Sequence, residues 1–227
     1  MPRECLVCGR ELSSKEEFLC LMCEADLPQT YYWQQPHNPM ADKLNAALEK
    51  LSPDTSEYSY AAALMFYHGD NPYKSIPQAL KYRYNIPAGR HFAGKLGEKL
   101  ASATHFQDVD AVIPVPLHWT RRWKRGYNQA EIIADEIARR LGAKLLPRAL
   151  SRSGSTVSQT TLDAPGRLDN VSGVFRPRVD LSGYRHILLV DDTFTTGATL
   201  ASCITTIRGA VAPDIRISAA TLAAVDD

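Results

Sequence analysis

Two adjacent carboxylates, Asp191 and Asp192, follow a short apolar run and precede a turn rich in threonine and glycine. Carboxylates at the end of a buried strand accept hydrogen bonds from the vicinal hydroxyls of a sugar, and they can share a divalent cation with it. The turn at 195–199 opens a helix, and the first backbone N–H groups of a helix suit a phosphate. The order of strand, paired acids, turn and helix therefore predicts a ribose 5-phosphate site, against the alternative of an ordinary polar turn.

Glycine and hydroxyl side chains in the turn refine this prediction. Gly197 has no Cβ, so it can take a positive φ and let a ligand approach the backbone closely. The hydroxyls of Thr195, Thr196 and Thr199 offer further donors to a phosphate. We expect the site to lie beyond the carboxyl end of a parallel strand, where open α/β sheets bind ligands.

A second polar segment follows another apolar run, at 110–115, and it is strongly basic. Four positive charges fall close together with no acid nearby, at Arg121, Arg122, Lys124 and Arg125. A cationic loop after a strand suits a polyphosphate or a nucleic-acid backbone, although a solvated basic turn accounts for this run equally well. Aromatic side chains between cations either stack single-stranded bases or anchor the loop on the core, and both interpretations stay open for Trp119, Trp123 and Tyr127.

Three other features have open interpretations. His118 follows the apolar run and is either a general acid or base or a plain loop residue. Cys203 shares a predicted helix face with apolar residues, which favours a packed core residue over a nucleophile. An aromatic cluster either lines a pocket for an acceptor or forms a small hydrophobic core, and its members are Tyr58, Tyr60, Phe66, Tyr67, Tyr73, Tyr82 and Tyr84.

The pattern of apolar residues predicts the elements that position these groups. Continuous apolar runs indicate buried parallel strands, and an aromatic-rich run indicates a further one, at 110–115, 186–190, 215–222 and 58–67. Helical spacing, with proline, asparagine and glycine at the ends, predicts helices at 39–51, 73–83, 88–103, 128–141 and 197–208. Strands that alternate with helices predict an α/β fold with a parallel sheet. The polar stretch at 151–172 is typical of a functional loop, because it is too long for a tight connection.

Four cysteines form two closely spaced pairs, Cys5 with Cys8 and Cys20 with Cys23. Two such pairs can place four thiolates tetrahedrally around one Zn²⁺, and a site with four thiolates is closed, hence structural rather than catalytic. So short a segment has little core of its own, and metal binding of about 10–16 kcal/mol can drive its folding. A reduced or disulfide-forming tail is the alternative.

The segment 187–200 resembles the phosphoribosyl-diphosphate-binding motif of type I phosphoribosyltransferases. Over nearly its full length the chain is similar to the ComF family of phosphoribosyltransferase-like proteins. The similarity rests on the cysteine pairs, on Val-Pro-Leu at 115–117, on Arg-Gly-Tyr-Asn-Gln at 125–129, and on Tyr67, Lys81, Tyr82, Gln159, Leu162, Arg167 and Asn170. It implies a type I phosphoribosyltransferase fold, in which a parallel sheet is flanked by helices. It also implies an N-terminal zinc module (1–34), a hood (35–105) and a core (106–227).

The resemblance also implies roles for individual residues. Asp191 and Asp192 hold the ribose hydroxyls and, through the ligand, Mg²⁺. The full set that binds phosphoribosyl diphosphate is Asp191, Asp192, Thr193, Thr195, Thr196, Gly197, Ala198 and Thr199. A diphosphate loop contains Val115, Pro116, Leu117, Arg121, Arg122 and Arg125, and a mobile loop with Arg152, Gln159 and Arg167 closes over the site. The implied catalytic residues are Asp191, Asp192 and Arg125.

Three functions of different classes follow from these expectations. The first is an enzyme that transfers the phosphoribosyl group of phosphoribosyl diphosphate to an unidentified acceptor. The second is a regulator that senses phosphoribosyl or nucleotide ligands without turnover. The third is a DNA-handling protein, because ComF-like proteins are linked to DNA uptake in competent bacteria. In that role the zinc module and the basic loop would hold single-stranded DNA, alongside other competence proteins.

Composition narrows the class of protein and its setting. The chain has 227 residues, 44% of them hydrophobic and 22% charged, and its formal net charge is +1. These values exclude a mainly disordered chain and argue against strong nonspecific binding of nucleic acid. We see neither an apolar run of the roughly 18 residues that span a membrane nor an apolar secretory segment, so we expect a cytoplasmic protein with metal-bound thiols.

Overall fold

The computed structural model describes residues 3–53, 57–67, 69, 71–82, 84–117, 126–152 and 174–225. These residues form seven strands, which are β1 (Ala61–Tyr67), β2 (Ala111–Pro114), β3 (Lys144–Leu145), β4 (Leu150–Arg152), β5 (Phe175–Pro177), β6 (His186–Phe194) and β7 (Arg216–Val225). The helices of the same ranges are α1 (Leu21–Ala25), α2 (Pro39–Leu51), α3 (Ser75–Tyr82), α4 (Ile86–Ala101), α5 (Gln129–Leu141) and α6 (Ala198–Arg208). None of the helices in the described ranges combines the length and the apolar composition that crossing a bilayer requires.

A five-stranded parallel sheet forms the centre of the fold, in the order β1-β7-β6-β2-β3. Helices flank it: α4 packs against α5, and α2 packs against α6. The residues at 187–190 in β6 are fully buried, as a continuous apolar run predicts for a central strand with both faces covered. The predicted α/β fold with a parallel sheet is therefore confirmed.

Side-chain caps set the limits of the helices that border the site. The Oδ1 atom of Asn38 accepts a hydrogen bond from the N–H of Ala41 at 3.0 Å, so α2 begins where the Asn-Pro pair predicts. Asn128 caps α5 in the same way through the N–H of Ala130, at 3.2 Å. Gly142 ends α5 with φ of 68°, a left-handed conformation that glycine adopts without strain.

The predicted end of β6 at residue 190 is wrong. The strand continues through both acidic residues to Phe194, because the long neighbouring strand β7 offers partners along its whole length. Asp191 is paired with Thr221, and Phe194 with Ala224. The acid pair therefore stands on a strand that is held on one side by the sheet, and not on a free turn.

The predicted boundary at 105/106 does not coincide with a boundary of the sheet. β1 comes from the predicted hood, yet it is an edge strand that pairs with β7 from Ala61 to Tyr67. The segment after the cysteines lies along the other side of β1, where the N–H of Thr30 donates to the carbonyl of Leu64 at 3.2 Å. An antiparallel bridge joins Gln29 to Met65. The N-terminal segment thus covers a sheet edge that would otherwise be open.

Candidate functional site

A crevice opens between β2 and β6, where the order in which successive strands are added to the sheet reverses. β3 lies beyond β2 on one side and β7 lies beyond β6 on the other, which makes this boundary the topological switch point. β2 ends at Pro114, and the N–H of Val115 still donates to the carbonyl of Val190 at 2.8 Å. β6 continues past this point, so the segment from Asp191 onward borders an open space at the carboxyl edge of the sheet.

The crevice is a cleft of about 720 Å³. It is lined by residues of β4 and β6, of the segments after β2 and α3, and of the ends of three helices. They are Lys81, Tyr82, Tyr84, Val115, Pro116, Leu117, Asn128, Gln129, Ala130, Arg152, Asp191, Asp192 and Thr199. The structure thus brings together the acid pair, Thr199, Arg152 and the 115–117 segment, which the sequence analysis assigned to one site. The basic residues Arg121, Arg122, Lys124 and Arg125, together with His118, Trp119 and Trp123, lie outside the described residues.

Crowding of negative charge characterises the acid pair. The backbone N–H of Asp192 donates to the Oδ1 atom of Asp191 at 2.8 Å, which orients the Asp191 carboxyl group toward the backbone of its neighbour. Burial and, after it, the neighbouring charge of Asp192 raise the pKa of Asp191 to about 7, although the Asp192 N–H, Lys81 and Arg152 act in the opposite direction. The pair therefore favours an added cation, because a positive charge would relieve this repulsion.

Lys81, at the end of α3, supplies a positive charge to the pair. Its Nζ atom lies 3.1 Å from the Oδ1 atom of Asp192. The same ammonium group donates to the hydroxyl of Thr193 at 3.3 Å. The sequence analysis used Lys81 only as part of a resemblance, since its contact with Thr193 of β6 joins residues 112 positions apart.

The threonine–glycine turn (195–199) forms a second, smaller pocket beside the acid pair. This pocket of about 40 Å³ is lined by Asp191 and by the residues from Thr193 to Leu200. Thr195, Thr196, Ala198 and Thr199 are exposed, and the turn leads directly into α6. The first backbone N–H groups of α6 border this pocket, and that of Ala198 donates to the Oγ1 atom of Thr196 at 3.4 Å. N–H groups at the start of a helix bind phosphate in many proteins.

Gly197 is required by the fold itself. Its φ is +77°, and an added Cβ would lie 3.1 Å from the Cζ atom of Phe194 and 3.5 Å from the Cα atom of Leu44. A side chain there would be strained and would push against α2. The sequence analysis predicted a positive φ and close approach of a ligand at Gly197; the positive φ is confirmed, and the structure adds this packing role.

Two exposed tyrosines stand at the rim of the cleft. Tyr82 is 67% exposed and Tyr84 is 60% exposed, and both line the cleft. Tyr84 has φ of +52°, a conformation that is costly for an aromatic residue, and its ring centroid lies 5.6 Å from that of Tyr127. The hydroxyl of Tyr127 donates to the carbonyl of Leu80, which ties this rim to α3.

The remaining members of the aromatic cluster lie elsewhere. Tyr73 is buried, and its hydroxyl donates to the carbonyl of Cys23 at 2.9 Å. Tyr58 and Tyr60 pack against each other with ring centroids 5.7 Å apart, and the hydroxyl of Tyr58 donates to Asp42. The cluster therefore divides into a packed part and the two rim residues.

Arg152 reaches the cleft from the antiparallel ribbon of β4 and β5. It is paired with Phe175 across the ribbon, and its guanidinium lies 5.5 Å from the centre of the Phe175 ring. The two paired strands β4 and β5 therefore precede and follow the segment that contains the predicted mobile loop. Gln159, Leu162, Arg167 and Asn170 lie outside the described residues.

Asn128 and Gln129 are cleft residues that the sequence analysis did not assign to the site. The Nδ2 atom of Asn128 donates to the carbonyl of Val115 at 3.0 Å, so the start of α5 is attached to the end of β2. Gln129 is buried and lines the cleft. The available signal was their place in the Arg-Gly-Tyr-Asn-Gln stretch, on which the resemblance to the ComF family partly rests.

The four N-terminal cysteines form a compact thiol cluster. The Sγ atoms of Cys5, Cys8, Cys20 and Cys23 all lie within 4.8 Å of one another. Those of Cys8 and Cys20 are 3.7 Å apart, and thiolates bound to one tetrahedral zinc are about 3.8 Å apart. All four cysteines are free of disulfide bonds, so the cluster can hold a metal ion.

The backbone around the cluster favours thiolates. Burial raises the pKa of Cys5, but backbone N–H groups, that of Cys8 foremost, outweigh burial and lower this pKa to about 6. The N–H of Cys20 contributes at 3.4 Å, and the N–H of Cys23 donates in turn to the Sγ atom of Cys20 at 3.5 Å. The pKa of Cys23, by contrast, is raised, because burial disfavours its thiolate. A bound cation would resolve this difference by stabilising all four thiolates together.

The cysteine segment is attached to the rest of the protein by several contacts. Lys95 of α4 forms an ion pair with Glu24 at 2.5 Å. The ring of Phe18 packs on that of His91, with centroids 5.0 Å apart. Together with the bond from Tyr73 to Cys23, these contacts hold the thiol cluster against α4 and the segment that precedes α3.

The fold and these two sites define an α/β protein with a polar cleft at the switch point of a parallel sheet and a separate four-cysteine centre. No protein-family model matches the chain. Competence protein F of Haemophilus influenzae is 33% identical over 149 residues, which are 63% of this chain and 65% of that protein. DNA utilization protein YhgH of Escherichia coli K12 is 36% identical over 98 residues, 43% of each chain, and that of Salmonella typhimurium is 34% identical over 99 residues, 44% of this chain and 43% of that protein. The matched stretches span less than two thirds of the length of each of these relatives, and the name of the first agrees with the resemblance to the ComF family.

Proposed function

We propose that the cleft binds phosphoribosyl diphosphate with Mg²⁺ and that the protein transfers the phosphoribosyl group to an acceptor. The observation that carries this proposal is the placement of an acid pair and of a helix-opening threonine–glycine turn side by side at the switch point. A ribose 5-phosphate has a diol at one end and a phosphate at the other, and the cleft offers acceptors and donors in the matching order. The same argument supports a type I phosphoribosyltransferase fold for residues around this sheet.

The donor groups at the acid pair are suitable for Mg²⁺. Asp191 and Asp192 offer carboxylate oxygens only, which a hard divalent cation prefers, and their mutual repulsion favours a cation. Bound there through the ligand, Mg²⁺ would neutralise charge on the diphosphate and the ribose oxygens. The four thiols suit a different ion, so we propose Zn²⁺ for that cluster, in a structural role.

The reaction breaks the bond between C1 of the ribose and the diphosphate oxygen, and the acceptor forms the new bond at C1. The transition state has the character of an oxocarbenium ion, as in glycoside chemistry. Asp191 and Asp192 orient the ribose through its hydroxyls, and the 195–199 turn fixes the 5-phosphate, so catalysis rests on positioning and electrostatics. Arg152 faces the cleft and would stabilise the departing diphosphate. The same role is proposed for Arg121, Arg122 and Arg125.

The rim tyrosines indicate where the acceptor would approach. Tyr82 and Tyr84 present exposed rings at the cleft opening, on the side of α3. Exposed aromatic rings are costly unless a ligand covers them, and flat rings stack well on other flat rings. A strained backbone at Tyr84 is typical of ligand-binding segments.

A role in DNA handling is the second candidate, and two observations favour it. The relatives carry the names competence protein F and DNA utilization protein, and the rim tyrosines could stack the bases of a single strand. A regulator that binds the same ligand without turnover would use the same cleft. The transferase and the regulator share the proposed ligand-binding residues and differ in what happens after binding, whereas DNA handling would use the rim tyrosines.

Release of diphosphate separates these functions. The protein is incubated with phosphoribosyl diphosphate and Mg²⁺ and with a panel of bases and amines, and Asp192→Asn serves as the control. Acceptor-dependent release by the wild type alone supports transfer, whereas tight binding without release supports sensing. Salt-dependent binding of single-stranded DNA that Tyr82→Ala weakens and Tyr82→Phe retains would support DNA handling. Absence of both ligand binding and release in the wild type would refute the transferase proposal.

A further inference from the structure

An ion pair across the cleft joins two elements that are far apart in the chain. The ammonium group of Lys81 on α3 contacts the Oδ1 atom of Asp192 at 3.1 Å and the hydroxyl of Thr193 at 3.3 Å. The side chains of Lys81 and Asp192 are 23% and 15% exposed, so water screens the pair only in part. Asp192 therefore has an internal cation beside it.

This contact bears on what the acid pair can bind. A carboxylate oxygen that faces an ammonium group at 3.1 Å is not available to a divalent cation approaching from the same side. A cation arriving alone has to replace the ammonium group and lose its own hydration, and Mg²⁺ gives up water reluctantly. A ligand that brings hydroxyls together with the cation offers Asp192 several new partners for the one it loses. The ion pair thus discriminates between a free metal ion and a metal ion carried by a ligand.

We propose that Lys81 is a specificity-determining residue of the cleft: its ammonium group holds Asp192 until a ligand that carries both a diol and a divalent cation displaces it. The inference rests on the proposed function, because it concerns the same acid pair. It assigns Lys81 a task that the sequence motif of the acid pair does not reveal. It also explains why α3, an element outside the β6 motif, ends at the cleft.

The charges around Lys81 agree with displacement rather than with a fixed structural bridge. Asp191 stands beside Asp192 and is close enough for the Lys81 charge to favour its ionised form. Arg152 also faces this side of the cleft. The acid pair therefore keeps a cation from the protein nearby after Lys81 leaves, and displacement does not strip the site of positive charge.

Binding of Mn²⁺ in the absence of phosphoribosyl diphosphate tests the proposal. The full-length protein with its cysteine cluster loaded with zinc is titrated calorimetrically with Mn²⁺ as wild type, Lys81→Met, Lys81→Arg and Lys74→Met. Lys74 lies in the segment before α3 and donates to the carbonyl of Gly69, so its replacement removes the same charge without touching the acid pair. We expect Lys81→Met to bind Mn²⁺ on the order of tenfold more tightly than wild type, and the two control variants to match wild type.

Two further arms make the result specific to Asp192 and to the ligand. Asp192→Asn combined with Lys81→Met should lose the gain, because the released carboxylate is the proposed cause. With saturating phosphoribosyl diphosphate, the difference between wild type and Lys81→Met should shrink, because the ligand displaces Lys81 in wild type. Thermal unfolding of each variant confirms that it is folded.

Equal affinity of wild type and Lys81→Met for Mn²⁺ would overturn the proposal. A gain of the same size in Lys74→Met would overturn it as well, since the effect would then be one of net charge. Failure of the two ideas can be told apart. If Lys81→Met gains Mn²⁺ affinity but no variant binds phosphoribosyl diphosphate, the proposed function fails, while the competition of Lys81 with a cation for Asp192 stands. If phosphoribosyl diphosphate binds through Asp192 while the Mn²⁺ affinities are equal, only the role of Lys81 fails.

Discussion

The thiol cluster is built from one short segment of the chain, whereas the acid-pair cleft is built from elements that are far apart in the sequence. The four cysteines lie within one short stretch of chain, and neighbouring backbone N–H groups stabilise them. The cleft takes its residues from β6, α3, α5 and the segment after β2, which meet only because the sheet orders its strands in that way. A local site depends on its own segment, whereas the cleft depends on the whole fold.

Loss of the proposed zinc from the cysteine cluster should give the largest effect. Cys20 is buried at the centre of the cluster, so Cys20→Ala should abolish zinc binding, which contributes about 10–16 kcal/mol to the folding of such segments. Elemental analysis and limited proteolysis check this outcome. Cys203→Ala is the matched control, because Cys203 is buried in α6, and it should retain one zinc per chain.

The comparison predicts where the damage from Cys20→Ala stops. Proteolysis should cut the segment before β1, while β6 and β7 stay protected from hydrogen exchange. Loss of protection in the central sheet would contradict the view that the cluster is a local site. A protein that folds normally without zinc would contradict the role of the metal.

Gly197→Val should give the next largest effect, and the destabilisation should extend from the turn to α2. The residue needs a positive φ, and the new side chain would meet Phe194 and the backbone of α2. Strain and overpacking together should lower the free energy of unfolding by about 2–5 kcal/mol. Urea denaturation measures this change, and Gly183→Val is the control because an added Cβ there meets no atom within 4 Å. Equal stability of the two variants would mean that the turn does not depend on α2.

Acid should destabilise the sheet through His186, at the far end of β6 from the cleft. Burial lowers the pKa of His186 to about 4, and Asp108 and Ser218 contact its two ring nitrogens at 2.7 and 2.8 Å. Between pH 6.5 and about 4 the unfolded chain binds a proton at this position that the folded protein does not, so stability falls as the pH falls. The loss should approach about 3 kcal/mol, by the rule of 1.36 kcal/mol per pKa unit.

Unfolding measured by urea at several pH values tests this titration, and His186→Gln should flatten the curve over that interval. An unchanged slope in the variant would assign the acid sensitivity to other groups. This prediction sharpens the comparison, because His186 lies at the amino end of β6 whereas Asp191 lies toward its carboxyl end, beside the cleft. The affinity of the cleft at neutral pH should therefore be the same in His186→Gln as in wild type.

Local signals in the sequence predicted local structure well. Asn38 with Pro39, and Asn128 with Gly142, marked the limits of α2 and α5. The spacing of the cysteines predicted a cluster that the structure forms. These features were accessible because each depends on residues a few positions apart.

Long-range structure was accessible only in outline. The continuation of β6 to Phe194 depends on the length of β7, and no pattern around residue 190 indicates it. The contact of Lys81 with Thr193 joins residues 112 positions apart, and periodicity holds no information about such a pair. The tyrosine cluster was ambiguous for the same reason, since the local sequence does not reveal that Tyr73 is buried and Tyr82 exposed.

Calorimetric titration with phosphoribosyl diphosphate and Mg²⁺ tests the central claim, that the acid pair and the adjacent turn form the ligand site. The proteins compared are wild type, Asp191→Asn, Asp192→Asn and Asp214→Asn, the last of which removes one exposed charge at the amino end of β7. Loss of a charge-assisted hydrogen bond of about 1.5–3 kcal/mol should weaken binding roughly 10- to 100-fold in Asp191→Asn and Asp192→Asn. Asp214→Asn should bind as wild type does. Equal affinity in all four proteins, or no binding by the wild type, would contradict the account.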